Sequence, residues 1–301
     1  MEFYDVFNGD ADGICALLQL RFALPRDARL ITGVKRDIRL LERLEPVAGD
    51  EIVVLDISLD VNRTALLRAL DAGAHVTWFD HHYAADVPRQ SGLTCHIDTD
   101  PAVCTSLIVD RHLRGRFRAW AVVAAFGDNL DASAHSAAAD LGLPEKELAL
   151  LRELGVCINY NSYGETIDDL HISPARLYSR LIAYRDPLAY VGESRDFGKL
   201  RTAMHDDLAL AESHPAQPLG AGSAAVFLPE QSWSRRVVGV YANLLAKRAP
   251  ARAHAVLVRK SSGYMVSIRA PIANPTGAAG VARAFASGGG REGAAGIDFL
   301  P

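Results

Sequence analysis

The first hundred residues alternate between short apolar runs and longer stretches with helical periodicity. Strands are predicted at residues 3–7, 28–34, 52–56, 76–79 and 94–98. Helices are predicted between them, at residues 14–24, 37–44 and 61–72. Strands that alternate with helices of about ten residues indicate right-handed βαβ units and a parallel sheet. This pattern predicts an α/β fold for the N-terminal part of the chain.

The rest of the chain divides into a helical stretch, a polar stretch and a second α/β segment. The helical stretch covers residues 103–184, and a polar stretch punctuated by prolines follows it. The last segment mixes short predicted strands with helices at residues 232–248 and 276–285. Proline-rich polar sequence between periodic segments favours a linker. We therefore predict an N-terminal domain at residues 1–185, a linker or hinge at 186–219 and a smaller α/β domain at 220–301.

Acidic residues and histidines follow several predicted strands at the point where each strand ends. These residues are Asp10 and Asp12 after the first strand, Asp56 at the end of the third, and Asp80, His81 and His82 at the end of the fourth. The carboxyl ends of parallel strands meet along one edge of the sheet, where such folds bind ligands. Like charges that meet there resist joint ionisation unless cations compensate them. The sequence therefore predicts a site for divalent cations.

Composition narrows the classes of function without choosing one. The 301 residues are 49% apolar and carry a net charge of −4, so no general basic surface indicates a long nucleic acid as partner. The four cysteines show no Cys-x-x-Cys spacing, which is typical of reduced thiols in the cytoplasm. The sequence has no signal-peptide pattern at its start and no apolar run long enough to cross a membrane. We expect a soluble cytoplasmic protein.

Four short motifs resemble, in order and in approximate spacing, those of the DHH phosphoesterase superfamily. They are Asp10-x-Asp12, Asp56, Asp80-His81-His82 and Gly127-Asp128. Near the end of the chain, residues 287–296 resemble the glycine-rich signature of the DHH-associated substrate-binding domain. The resemblance covers essentially the whole chain and points to RecJ-like and nanoRNase-like relatives. It implies an N-terminal parallel-sheet DHH domain and a smaller α/β substrate-binding domain, with substrate held between them.

The resemblance also implies a centre of two divalent ions that hydrolyses phosphoester bonds by activating a water. The implied ligands are Asp56 between the two ions, Asp10 on one ion, and Asp12, His81 and Asp128 on the other. Manganese suits carboxylate and imidazole ligands, with magnesium, cobalt and zinc as alternatives. His82 is expected to donate to a substrate phosphate, and Asp80 to orient a histidine or a water.

Two positions depart from the pattern of the family. Val6 stands where many relatives carry a histidine before the first motif, and Asn8 is the nearest polar group that could support the metal site. Arg291 follows the glycine triplet where many relatives have a histidine. Arginine is a planar and permanent cation that suits phosphate, so phosphate binding is expected to survive. The residues expected to bind substrate phosphate are Arg269, Gly288, Gly289, Gly290 and Arg291.

The expected substrates are short oligonucleotides, nucleoside bisphosphates, and linear or cyclic dinucleotides. Processive work on long strands would favour a basic channel, for which the composition gives no sign. Hydrolysis of pyrophosphate or polyphosphate is the closest alternative, and only Lys247 and Lys260 follow residue 220 to support it. A non-catalytic nucleotide or phosphate sensor is a second alternative. We expect no association with a membrane and no obligate protein partner. The sequence leaves open whether the protein forms a homodimer.

Overall fold

The structure, a computed structural model, describes residues 1–220 and 222–301. The chain divides into two compact units, Met1–Arg201 and Thr202–Pro301. In these described ranges, no helix combines the length and the apolar character needed to span a bilayer.

The sheet of the first unit is parallel throughout. Its strands are β1 (Phe3–Phe7), β2 (Arg29–Ile31), β3 (Glu51–Leu55), β4 (His75–Asp80) and β5 (Leu93–Ile97). They lie in the order β2-β1-β3-β4-β5. Helices α1 (Ala11–Ala23) and α2 (Leu59–Asp71) follow β1 and β3. The predicted α/β fold is confirmed, and the strand order reverses direction between β1 and β3, where such sheets bind ligands.

Apolar side chains at matching positions of neighbouring strands form part of the core beside this sheet. Val6 of β1 is in register with Val54 of β3, and Val54 with Trp78 of β4. All three side chains are fully buried. The Trp78 indole N–H donates to the Ile57 carbonyl at 3.2 Å, which satisfies its polar group. Because burial fixes the register, it also fixes where each strand ends and where the next side chains point.

Six α-helices follow β5 within the first unit, and the end of α4, which precedes Asp128, packs closely against its neighbours. They are α3 (Thr105–His112), α4 (Arg118–Gly127), α5 (Asp131–Ala138), α6 (Glu145–Tyr160), α7 (Pro174–Leu181) and α8 (Pro187–Glu193). A Cβ on Gly155 of α6 would lie 2.1 Å from the Val123 carbonyl oxygen of α4. A Cβ on Gly127 would lie 2.5 Å from the Ala11 Cβ of α1. Both glycines therefore permit a backbone approach that positions the end of α4.

Helix α9 (Arg195–Glu212) contains the boundary between the units. The elements after it are β6 (Gln217–Pro218), β7 (Ser223–Leu228), α10 (Ser232–Arg248), β8 (Ala253–Lys260), β9 (Gly263–Arg269), α11 (Ala278–Arg283), β10 (Gly288–Gly290) and β11 (Ala294–Leu300). The strands lie in the order β10-β11-β9-β8-β7-β6, and β7 runs parallel to β8 while the other neighbours are antiparallel. Val266, Ile297 and two alanines of α11, Ala278 and Ala282, share one core cluster.

The stretch at residues 186–219, predicted as a linker, contains α8 and α9. Asp186 caps α8 by accepting from the Leu188 N–H at 2.9 Å, and Pro187 occupies the first turn. A proline at that position starts a helix rather than breaking one, because its missing N–H is not needed there. Phe197, Leu200 and Met204 are buried at helical spacing along α9. The polar appearance of the sequence hid this apolar face, and the role of the region as a hinge stays a prediction.

Two further segments differ from the sequence-based expectations. Residues 37–44, predicted as a helix, contain only the short 3-10 helix Leu40–Arg43. Residues 288–290, which the sequence analysis did not assign to a strand, form strand β10 paired with β11. Gly288 has a packing reason for lacking a side chain, because a Cβ there would lie 1.8 Å from the Ala282 carbonyl oxygen.

Candidate metal centre

The candidate centre lies at the carboxyl ends of β1, β3 and β4. Asp10 caps α1 directly after β1, Asp56 follows β3, and Asp80 ends β4 and is followed by His81. The reversal of strand order between β1 and β3 leaves a crevice at this edge of the sheet. The chain therefore places its strand-end acids where a parallel sheet offers room for a ligand.

Asp12 faces the N-terminus of α3. Its Oδ2 accepts from the Thr105 N–H and its Oδ1 from the Ser106 N–H, each at 2.7 Å. The Ser106 hydroxyl returns a hydrogen bond to the Asp12 carbonyl at 2.8 Å. The first N–H groups of a helix lack partners within the helix and favour negative charge. These bonds therefore fix the carboxylate of Asp12 without a positively charged side chain.

Asp56 has a left-handed backbone, with φ of 59°. Aspartate and asparagine tolerate this conformation better than most residues. The Asp56 N–H donates to the Phe79 carbonyl at 3.0 Å, and the Thr105 hydroxyl donates to Asp56 Oδ1 at 3.1 Å. The turn directs a buried carboxylate into the site, at a conformational cost of about 1–3 kcal/mol of the kind that clusters at functional positions.

His81 is oriented so that one ring nitrogen faces Asp56. Its Nδ1 lies 2.9 Å from the Val103 carbonyl oxygen and must donate to it, because a carbonyl only accepts. Its Nε2 lies 3.3 Å from Asp56 Oδ1. In the neutral ring this places a lone pair against a carboxylate oxygen. A cation shared by the two atoms would satisfy both, and a backbone-oriented imidazole is the usual form of a histidine metal ligand.

His82 is held by Asp80 at the entrance to the site. Its Nδ1 lies 2.7 Å from Asp80 Oδ1, which also accepts the His81 N–H at 2.9 Å. Burial lowers the pKa of His82, but the Asp80 charge, the hydrogen bond to Asp80 and the Asp56 charge together raise the pKa above its ordinary value. The His82 side chain is 44% exposed, so it can reach a bound molecule.

The predicted site residues converge into two overlapping groups with ligand atoms within 4.8 Å of one another. One group is Asp56, His81 and His82, and the other is Asp12, His81 and Asp128. Within the described part of the chain, Asp10 belongs to neither group. The strand ends and the end of α4 thus bring together five of the residues singled out from the sequence, with His81 common to both groups.

Three solved structures share this architecture over essentially the whole chain. An exonuclease RecJ bound to manganese aligns with 99% of this chain and 86% of its own, at 18% identity and a TM-score of 0.60. RecJ from Thermus thermophilus in complex with Mn²⁺ aligns with 99% of this chain and 49% of its own, at 17% identity and a TM-score of 0.62. PggH, a pGpG-specific phosphodiesterase from Vibrio cholerae, aligns with 100% of this chain and 94% of its own, at 12% identity and a TM-score of 0.57.

The chain shares the fold of RecJ and PggH, as the resemblance to the DHH superfamily predicts. It spans about half the length of the Thermus RecJ chain and nearly all of PggH. The sequence matches no protein-family model and no curated protein.

The carboxylates of the candidate centre are not balanced by positively charged side chains alone. Burial raises the pKa of Asp56 well above its ordinary value, and the Asp12 and Asp10 charges raise it further. Burial also raises the pKa of Asp12, and the opposing effect of His81 does not cancel it. A divalent cation would reverse both shifts by stabilising the ionised carboxylates. Buried carboxylates beside an oriented imidazole therefore fit an ion such as manganese or magnesium.

Sequence reasoning missed Lys35, which follows β2 at the same edge of the sheet. Its Nζ forms an ion pair with Asp10 Oδ2 and lies 3.7 Å from Asp128 Oδ1. Burial alone would lower the pKa of Lys35, but the Asp10 charge raises it well above the ordinary value. Burial alone would raise the pKa of Asp10, but Lys35 lowers it. The signal available in the sequence was a basic residue shortly after a parallel strand, on the side where the acids also lie.

The polar segment after α6, whose role the sequence left open, borders the centre. Asn159 Oδ1 accepts from Lys35 Nζ at 3.2 Å, and the Ser162 carbonyl accepts from the Lys35 N–H at 2.9 Å. Lys35 Nζ also lies 5.7 Å from the centre of the Tyr163 ring. The segment therefore forms one wall around the Asp10 side of the site.

The residues expected to bind phosphate lie in the second unit, and each has a local structural role. Arg269 ends β9 and donates to Asn243 Oδ1 at 2.6 Å and to Ser267 Oγ at 3.1 Å. Arg291 is exposed and closes a tight turn, with its N–H donating to the Ala294 carbonyl at 2.8 Å. Gly289 has open space where a side chain would be. Binding of phosphate by these residues and by the adjacent glycines stays a prediction.

Proposed function

We propose that this protein is a metal-dependent phosphoesterase that hydrolyses short nucleotides, with linear dinucleotides as the leading substrates. The observation that carries the proposal is the convergence of Asp12, Asp56, His81 and Asp128 at the carboxyl edge of the sheet. RecJ, an exonuclease, and PggH, a pGpG-specific phosphodiesterase, share the fold. This constellation, in a fold shared with these enzymes, supports phosphoester chemistry, although the fold alone would not.

The preference for short substrates rests on size and charge. PggH aligns over 94% of its length, so the two chains have similar extents. The net charge of −4 gives little general attraction for a long polyanion. A dinucleotide needs only a few phosphate contacts, whereas a long strand is bound by a positively charged groove with aromatic side chains that stack on the bases. These features favour a compact nucleotide over a polymer.

The chain's own residues have separable roles in the proposed reaction. Asp12, Asp56, His81 and Asp128 would hold a divalent ion, which supplies charge neutralisation for a phosphoryl oxygen and lowers the pKa of water. The Asp12 bonds to α3 and the His81 bond to Val103 hold these ligands in place before substrate arrives. Such preorganisation lowers the reorganisation needed in the transition state.

His82 would act on the substrate phosphate rather than on the ion alone. The bond from Nδ1 to Asp80 leaves Nε2 as the donor at the exposed side of the ring. A raised pKa favours the protonated ring, which neutralises charge on a phosphate oxygen. His82→Gln is therefore a variant that should keep the metal ligands and lose this donor.

A substrate panel tests the proposed function. The purified protein with Mn²⁺ is given a linear dinucleotide, a trinucleotide, a cyclic dinucleotide, a nucleoside 3′,5′-bisphosphate, pyrophosphate and a short polyphosphate, and products are separated by chromatography. We expect the linear dinucleotide to be hydrolysed with the highest kcat/KM. We expect His82→Gln to lower kcat by about a hundredfold, the usual scale for removing a positioned proton donor.

The panel also separates the alternatives. Release of phosphate only from pyrophosphate or polyphosphate would replace the nucleotide proposal with the inorganic one. Binding of a nucleotide without repeated turnover, with metal bound, would support the sensor. A long single strand is assayed beside the panel, and its hydrolysis at a kcat/KM equal to that of the dinucleotide would contradict the preference for short substrates.

A further inference from the structure

The ammonium group of Lys35 occupies the position next to Asp10 where the family pattern implies a metal ion. Lys35 Nζ is paired with Asp10 Oδ2 and lies 3.2 Å from Asn159 Oδ1. It is also 3.7 Å from Asp128 Oδ1. These are three oxygen atoms around one cationic nitrogen, the arrangement that a small cation would otherwise have.

Both carboxylate oxygens of Asp10 are engaged by the protein. Oδ1 caps α1 by accepting from the Asp12 N–H at 3.0 Å and the Gly13 N–H at 3.1 Å. Oδ2 accepts from Lys35. Both oxygens of Asp12 are engaged as well, but by uncharged backbone N–H groups and not by a cation, and Asp12 lies among the atoms that converge with His81 and Asp128. The two acids of the first motif therefore have different surroundings.

Lys35 is fixed in this position by its backbone as well as by its charge. Its N–H donates to the Ser162 carbonyl at 2.9 Å, and its carbonyl accepts from Asn8 Nδ2 at 3.1 Å. The side chain is only 27% exposed. A lysine held on both sides of its peptide unit has less freedom to leave Asp10 than a surface lysine on a loose loop.

The two positions before Asp10 that could add a ligand to a metal site there are apolar or already hydrogen-bonded. Val6, at the position of the family histidine, is fully buried in the core and has no donor atom. Asn8 uses Nδ2 on the Lys35 carbonyl and Oδ1 on the Asp10 N–H, at 3.3 Å. Thus the change from histidine to Val6 coincides with a positive charge supplied by Lys35.

We propose that the Lys35 ammonium replaces one of the two divalent ions, so that the centre binds a single ion at Asp12, Asp56, His81 and Asp128. This inference rests on the proposed metal centre, but not on the identity of the substrate. The lysine ammonium is a compact point charge that is covalently tied to the chain, so it does not exchange with solvent ions as a bound metal does. Asp10 then acts as the partner of Lys35 and positions it, rather than binding the ion.

Counting the bound ions tests the inference without measuring activity. The metal-stripped protein is titrated with Mn²⁺ by calorimetry, and the loaded protein is examined by electron paramagnetic resonance. We expect one Mn²⁺ per chain and the six-line spectrum of an isolated ion. Two ions with the spectrum of a spin-coupled pair would overturn the inference and leave the proposed function intact. No bound Mn²⁺ would overturn both.

Matched variants assign the binding to particular residues. Asp10→Asn keeps the helix cap and is expected to bind one ion with an affinity near that of the unchanged protein. Asp12→Asn is expected to lose affinity by about a hundredfold or more, because even residues that only support ligands cost 10–100-fold. A large loss of Mn²⁺ affinity in Asp10→Asn, with little loss in Asp12→Asn, would contradict the assignment.

Substitution of Lys35 itself provides the decisive variant. Lys35→Met removes the charge while keeping the length of the side chain, and it leaves the Asp10 carboxylate without its counter-charge. We expect a second, weaker Mn²⁺ to bind in this variant, whereas Lys35→Arg retains the charge and stays at one ion. A Lys35→Met protein that is folded by circular dichroism and binds only one ion at saturating Mn²⁺ would overturn the inference.

Discussion

Asp56→Asn is expected to abolish metal binding and hydrolysis while leaving the fold intact. Asp56 contacts His81 Nε2 at 3.3 Å and accepts from the Thr105 hydroxyl, so its carboxylate is central among the converging atoms. We expect kcat to fall at least about a thousandfold. This follows because metal stabilisation of transition-state charge is worth several kcal/mol and each factor of ten corresponds to about 1.4 kcal/mol.

Stability separates this loss of function from a folding defect. Burial and the neighbouring acids raise the pKa of Asp56 well above its ordinary value, so the ionised form destabilises the metal-free fold. Asparagine also suits the left-handed backbone at this position. We therefore expect the Tm of the metal-free Asp56→Asn protein to be unchanged or higher.

A nearby carboxylate provides the control. Asp60 lies four residues further along, pairs with Arg63 and is about one-third exposed. Asp60→Asn should therefore leave metal binding and kcat essentially unchanged. Loss of activity in both variants would show that the effect is not specific to Asp56, and a lower Tm for Asp56→Asn would show that its loss of activity is a folding defect.

Arg21→Met is expected to lower the free energy of unfolding by about 3–5 kcal/mol, since it leaves a buried charge without its partner. Arg21 of α1 donates from Nε to Asp5 Oδ2 at 2.8 Å, and its Nη2 is paired with Asp5 Oδ1. Their side chains are only 6% and 1% exposed. Asp5 lies in β1, two strand positions before the end that leads to the metal centre.

Chemical denaturation with urea measures this effect, and a double variant is its control. Asp5→Val with Arg21→Met replaces the pair with apolar side chains, which is often close to neutral for stability. We expect the double variant to regain most of the lost stability. A loss below about 1 kcal/mol for Arg21→Met, the range of exposed ion pairs, would show that water solvates the remaining charge.

The strand-end acids could be predicted because their positions depend on local patterns. Alternation of short strands and helices indicates a parallel sheet, and a parallel sheet brings Asp12, Asp56 and His81 to one edge whatever the details of the helices. The structure places all three within reach of one another. Topology therefore accounts for most of what the sequence revealed about the candidate centre.

Lys35 and the contacts of α3 could not be predicted in the same way. The pair between Lys35 and Asp10 joins residues 25 positions apart, and the bonds from Thr105 and Ser106 reach Asp12 across more than 90 positions. Contacts of this kind depend on how loops pack in the folded chain, and the local pattern of apolar and polar residues does not predict them. The left-handed turn at Asp56 is likewise a property of the folded backbone.

The helix α9 shows a different limit of sequence reasoning. Its buried residues are spaced along one face, but charged residues around them gave the segment a polar average. The glycine triplet shows a related limit. Glycine is unfavourable inside a strand, yet pairing with β11 makes residues 288–290 a strand. In both cases tertiary contacts outweighed local composition.

The most direct test of the central claim is the metal dependence of dinucleotide hydrolysis. The purified protein is stripped with a chelator, assayed on a 5′-phosphorylated linear dinucleotide, and assayed again after addition of Mn²⁺ or Mg²⁺. We expect no product from the stripped protein and full recovery with Mn²⁺, with mononucleotides as the products. Hydrolysis that persists after complete removal of metal, or that fails to appear when Mn²⁺ is shown to be bound, would contradict a metal-dependent phosphoesterase.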